Sequence, residues 1–242
     1  GSMHETGHGT YEQGRPRDFD FQPAGKANGL GVHESQSRLW ENQVGRSREF
    51  CEWSLPLWKQ CFPENMKGVV AEQLWQAVNL VEPGLIRVDA DEATYNLHIM
   101  IRYEIEKQLI SGDIEVDELP DAWDEMYQKY LGISAPNRSL GVLQDVHWSM
   151  GAIGYFPTYT LGNLYAAQLL EAAKRDLPKH DDQIRDGEFT HLLSWMRENV
   201  HSRGSVLEPR DLIEEATGSA PSPDAFVRYL SSKVERLYGV SA

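Results

Sequence analysis

Residues 4–16 read HETGHGTYEQGRP, and the architecture of the chain turns on this stretch. A helix turns once per 3.6 residues, so His4 and His8 project from one face, one turn apart. Two imidazoles so spaced can hold one zinc ion at about 2.0–2.1 Å each. Glu5 stands one position round from His4, where its carboxylate can reach a water on the ion rather than the ion itself. That is the arrangement of two ligands plus a general base. A chain with eight histidines can also carry the pattern by accident, and a third ligand is needed to decide. Gly14 and Pro16 end the helix. The leading Gly1-Ser2-Met3 reads as an expression scar followed by an initiator-type methionine, leaving 4–242 as a single helical domain.

Helical periodicity dominates the rest. The run from Val32 reads as one long helix until Pro56, and further helices are predicted over about 67–80, 91–111, 120–131, 158–176, 187–201, 208–216 and 222–238. Asp91 is placed to cap the helix that follows it, and Ser222-Pro223-Asp224 opens the last one. Strand evidence is confined to LIRV at 85–88, a short β-branched run after Pro83-Gly84 that could form one edge strand. The fold class is therefore mostly α. Against it stands GVLQDVHWSMGAIGYFPTY (141–159), rich in glycine and aromatics and interrupted by Pro157, as functional loops often are.

With 242 residues the chain can bury a sizeable core. Its net charge of −14 opposes binding to nucleic acid or an anionic membrane, and no apolar run is long enough to span a bilayer. Cys51 and Cys61 lie among aromatic and apolar residues and read as buried reduced thiols, which fits the cytoplasm.

Glu34, in HESQ at 33–36, opens the second long helix, and a return of that helix could bring its carboxylate to the paired histidines. Two imidazoles, one carboxylate and one open position make a catalytic rather than a structural zinc site. Equally, Glu34 could simply complement the helix dipole. His33 would point about 100° away and is left outside the metal shell. His98, His180, His191 and His201 read as structural or surface residues, and Trp40, Trp148 and Trp195 as core aromatics.

Four motifs in order, HETGH (4–8), HESQ (33–36), IRVDAD (86–91) and GVLQDVHW (141–148), resemble the thermostable metallocarboxypeptidases of the carboxypeptidase Taq family. SRLWEN, TYNLHI and GYFPTYTLGNLYAAQ resemble it too. The resemblance implies a zincin-type, gluzincin-like helical fold, with His4, His8 and Glu34 as metal ligands and Glu5 as the base. It implies zinc, or cobalt, as the ion and the removal of carboxy-terminal residues from peptides with broad preference. It further implies a cytoplasmic homodimer, and the charge and hydropathy above lead us to expect neither a nucleic-acid nor a membrane partner. Family members are longer, and the HPF-type and DxRxT-type signatures of their earlier part are absent, so the chain resembles the carboxy-terminal part of one. The alternative function is a truncated, catalytically weak member kept as a binding or assembly module.

Within this reading His147, Tyr155 and Tyr159 are candidate donors to a developing oxyanion; Tyr159 also fits as a core aromatic. Arg87 is the candidate for a substrate carboxylate, which a guanidinium binds through two parallel bonds. It could instead pair with Asp89 or Asp91. Gln144 and Asp145 are expected to orient His147 or a ligand histidine.

Overall fold

A computed structural model describes residues 1–240. Among the described residues there are eleven α-helices, joined by short 3-10 and π-helical stretches, and no strand. They are α1 (Ser2–Gly14), α2 (Gly29–Arg38), α3 (Arg48–Cys61), α4 (Ala71–Val78), α5 (Tyr95–Ser111), α6 (Leu119–Leu131), α7 (Pro157–Asp176), α8 (His180–Arg185), α9 (Thr190–Asn199), α10 (Pro209–Thr217) and α11 (Asp224–Tyr238). None of the described helices is long and apolar enough to cross a membrane. The chain divides into two compact units, unit 1 (Gly1–Val78 and Leu161–Ala242) and unit 2 (Asn79–Thr160).

In unit 1, α1 lies along α2 so closely that only glycine fits at position 7. A Cβ there would sit 2.5 Å from the Gln36 carbonyl oxygen and 2.6 Å from the Ser37 Cα. Tyr11, Val32, Leu39, Trp40 and Val44 join Leu169, Leu192, Met196 and Leu212 in one apolar core. Full burial of such side chains contributes roughly 1.5–3 kcal/mol each. The Tyr11 hydroxyl accepts from the Asn28 amide at 2.9 Å, so its polar end is satisfied inside that core.

The long second helix of the sequence reading is interrupted. After α2 the backbone widens into a π-helical stretch, Leu39–Val44, closed by a Gly45 amide donating to the Trp40 carbonyl at 2.9 Å. A new helix then starts at Ser47, whose hydroxyl accepts from the Phe50 amide at 3.1 Å. Pro56 does not end it. It lies inside α3, which runs on to Cys61. Both cysteines are free, but only Cys51 is buried; Cys61 is exposed, contrary to the sequence reading.

In unit 2, α5 and α6 pack through Ile101, Ile105, Trp123, Tyr127 and Leu131. The expected strand at 85–88 does not form. Arg87–Asp89 is a 3-10 turn instead, because side chains satisfy the backbone groups that a sheet ladder would use. The Gln144 Oε1 accepts from the Arg87 amide at 2.9 Å. The Leu85 carbonyl accepts from the Tyr127 hydroxyl at 3.1 Å and from Gln144 Nε2 at 3.0 Å. Asp91 is not the N-cap expected of it, because α5 begins only at Tyr95 with Thr94 as its N-cap; its Oδ1 instead accepts from the amides of Ala93 and Thr94, at 2.8 and 2.9 Å, in the turn that leads into the helix.

Candidate functional site

His4, His8 and Glu34 form the one group of three or more potential ligands among the described residues, with one donor atom from each lying within 4.8 Å of the others. Glu34 Oε2 stands 3.8 Å from His4 Nε2 and 3.5 Å from His8 Nε2. Ligand atoms of a tetrahedral zinc with bonds near 2.0–2.1 Å are about 3.3 Å apart, so both separations between the carboxylate and an imidazole lie within about half an ångström of that spacing. Glu34 is only 5% exposed. Two close approaches hold it there. Gly7 lets α2 come up to α1, and a Cβ at Gly162 on α7 would lie 2.5 Å from the Glu34 Cγ.

The outer nitrogens of both histidines are engaged. His4 Nδ1 meets Glu41 Oε2 at 2.9 Å, and His8 Nδ1 meets His33 Nδ1 at 2.6 Å. That leaves both Nε2 atoms on the Glu34 side, and the donor set (two imidazoles and a carboxylate, with hydrogen bonds orienting the rings) suits a divalent cation. Glu41 comes from the π-helical stretch, a feature common at functional sites, and sequence periodicity gave no sign of it. Burial works to raise the Glu41 carboxyl, but the hydrogen bond to His4 and the charge of Arg38 outweigh it and hold it at about 2. Glu34 is likewise opposed by burial and lowered by His8, Arg38 and His4. Arg38 Nε donates to Glu34 Oε1 at 2.7 Å, leaving Oε2 for the histidines. Glu5 is exposed on α1, beside His4.

Unit 2 gathers the other candidates into a second network. Arg87 is buried, and Asp145 Oδ1 accepts from its Nε and Nη2 at 3.1 and 2.7 Å, while Nη1 donates to the Tyr95 hydroxyl at 3.0 Å. Its partner is thus Asp145, not Asp89 or Asp91. The same carboxylate accepts from Arg102 Nε at 2.6 Å, and Arg102 is fully buried over the Trp123 ring. Burial opposes ionisation of Asp145, but the two guanidiniums more than offset this and lower its pKa. His147 Nε2 and the Tyr159 hydroxyl are 2.9 Å apart, and the Tyr155 ring lies 5.3 Å from that of His147. Tyr159 also packs on the Arg87 guanidinium at 4.8 Å. Asp145 Oδ1 stands 3.7 Å from His147 Nδ1. Arg102 had no signal in the sequence beyond standing between Ile101 and Tyr103 in a predicted helix.

Residues 1–234 match the carboxypeptidase Taq (M32) metallopeptidase family. The chain is 49% identical over 239 residues to thermostable carboxypeptidase 1 of Thermus thermophilus, covering 99% of this chain and 47% of that protein. It is 42% identical over 241 residues to carboxypeptidase 1 of Bacillus subtilis, covering 98% and 48%. The crystal structure of the M32 carboxypeptidase from Deinococcus radiodurans superposes with a TM-score of 0.95 at 46% identity, over 98% of this chain and 48% of that one. The chain spans about half the length of the curated relatives it matches. With a family match over nearly its whole length, and its HETGH and HESQ segments meeting at one cation-suited cluster, the chain belongs to the carboxypeptidase Taq (M32) metallopeptidase family.

Proposed function

We propose that this chain carries the metal-dependent hydrolytic chemistry of a carboxypeptidase, removing the carboxy-terminal residue of peptides with broad preference. The observation that carries this reading is the convergence of His4, His8 and Glu34 in a chain of this family. Zinc, with cobalt as a substitute, is the ion the two imidazoles and one carboxylate favour. When bound, the ion supplies Lewis acidity, acidifying water and polarising a carbonyl. Glu5 accepts the proton of the attacking water and delivers it to the leaving amine nitrogen.

From unit 2 we carry forward the sequence assignments. His147, Tyr155 and Tyr159 are donors to the oxyanion, supported by the 2.9 Å contact that orients the His147 ring on Tyr159. Arg87 is the residue for a substrate carboxylate. Its hydrogen bonds to Asp145 and Tyr95 mean that recognition requires a carboxylate to displace or share one of them. The protein is proposed to act in the cytoplasm as a homodimer, without nucleic acid or membrane.

The test is hydrolysis of a short peptide with a free carboxy terminus beside its amidated twin, by the zinc-loaded 242-residue chain. Cleavage confined to the free peptide is expected, and Glu5→Gln should abolish it while zinc stays bound. Equal cleavage of both peptides removes the exopeptidase reading. A Glu5→Gln variant that retains turnover removes the base.

A further inference from the structure

Glu12, one helical turn beyond His8 on α1, and His33 on α2 complete a chain of contacts behind the metal cluster. Glu12 Oε1 lies 2.9 Å from His33 Nε2, and His33 Nδ1 lies 2.6 Å from His8 Nδ1. Arg15 Nη2 holds the other Glu12 oxygen at 2.7 Å. An ionised carboxylate can only accept hydrogen bonds, so Glu12 draws the His33 proton to Nε2. With that ring neutral, its Nδ1 is bare and can only accept. His8 must in turn place its own proton on Nδ1, which leaves His8 Nε2 as a lone pair on the Glu34 side, 3.5 Å from Oε2.

We propose that Glu12 and His33 are positioning residues that set the tautomer and ring orientation of His8, so that its Nε2 is ready for the ion before the ion arrives. His33 therefore has a task although it is not a ligand. The other histidine needs no such intermediary, since Glu41 reaches His4 Nδ1 directly at 2.9 Å. The two arms differ because His8 lies farther along α1, where α2 presents a histidine in place of a carboxylate. Outer partners of this kind typically alter metal affinity about 10–100-fold when removed. This inference rests on the reading of His4, His8 and Glu34 as a metal site.

Zinc titration of the 242-residue chain against a chromophoric chelator tests it, alongside long-range proton–nitrogen spectra of the imidazoles in the metal-free protein. His33→Phe should weaken zinc binding about 10–100-fold and let His8 populate both tautomers. His33→Asn, whose Oδ1 can replace the ring Nδ1 as acceptor, should restore affinity to within about threefold of the parent. The parent itself should hold the His8 proton on Nδ1 without metal. The proposal is overturned if His33→Phe binds zinc as tightly as the parent, if His33→Asn loses as much as His33→Phe, or if metal-free His8 carries its proton on Nε2. Failure of the parent to bind zinc at all would instead overturn the metal site, and with it the reading on which the relay stands.

Discussion

Replacing Gly7 with alanine puts a methyl group where α1 meets the backbone of α2. The new Cβ would lie 2.5 Å from the Gln36 carbonyl oxygen and 2.6 Å from the Ser37 Cα, against 3.4 Å for an ordinary contact, a shortfall of 3.4 − 2.5 = 0.9 Å. Both obstacles are backbone, so no side chain can rotate away and the helices must separate by most of that amount. Overpacking of this kind costs about 1–3 kcal/mol, while alanine in a helix returns roughly 0.8–1 kcal/mol relative to glycine. The net expectation is a modest loss of stability, on the order of 1 kcal/mol.

The larger effect falls on the cluster. His8 stands on α1 and Glu34 on α2, 3.5 Å apart. Adding most of 0.9 Å takes them well beyond the about 3.3 Å of two zinc ligands. Gly9 supplies the control, because a Cβ there meets nothing within 4 Å, so Gly9→Ala should stabilise the same helix by up to about 1 kcal/mol without touching the site. Urea unfolding of the metal-free variants and zinc titration of each provide the measurements. Gly7→Ala should lose at least tenfold in zinc affinity, and Gly9→Ala should lose none. A Gly7→Ala variant as stable as Gly9→Ala, with parental zinc affinity, would refute the claim that this close approach builds the site.

Asp145→Asn removes the charge shared by Arg87 and Arg102; stranding buried guanidiniums should cost about 3–5 kcal/mol, read as a lowered urea midpoint, and a loss under 1 kcal/mol would mean solvent reaches them freely. Burial lowers His98 and His180 to about 4 and His201 to about 3. The unfolded chain therefore binds protons below about pH 6.5 that the folded chain refuses, and stability falls as pH drops from 6.5 towards these values. Each histidine contributes on the order of 2 kcal/mol by pH 5, before most carboxylates titrate; a urea midpoint unchanged between pH 7 and 5 would contradict this. His8→Ala should abolish stoichiometric zinc binding, checked by metal analysis after gel filtration, and one retained zinc per chain would place the ion elsewhere.

Much of the site was legible because helical spacing is a local property. His4 and His8 share a face at any tertiary arrangement, and the end of α1 at Gly14 follows from Gly14 and Pro16. Glu34 was legible only as a candidate, since its approach depends on glycines at 7 and 162 that a sequence reader cannot assign to a contact. The strand expected at 85–88 failed for a non-local reason. Its backbone partners are Gln144 and Tyr127, both more than 40 residues away in sequence.

The order of the motifs, the helical character of the chain and the shared face of His4 and His8 were all determined by the amino-acid sequence alone, because periodicity and side-chain chemistry act over a few residues. Tertiary structure alone decided which groups stand behind the two histidines and around Arg87. Glu41 faces His4 through a widened turn, His33 links His8 to Glu12, and Asp145 rather than a nearby aspartate holds Arg87. Buried polar groups must find partners wherever packing offers them, and packing joins residues that no local pattern connects.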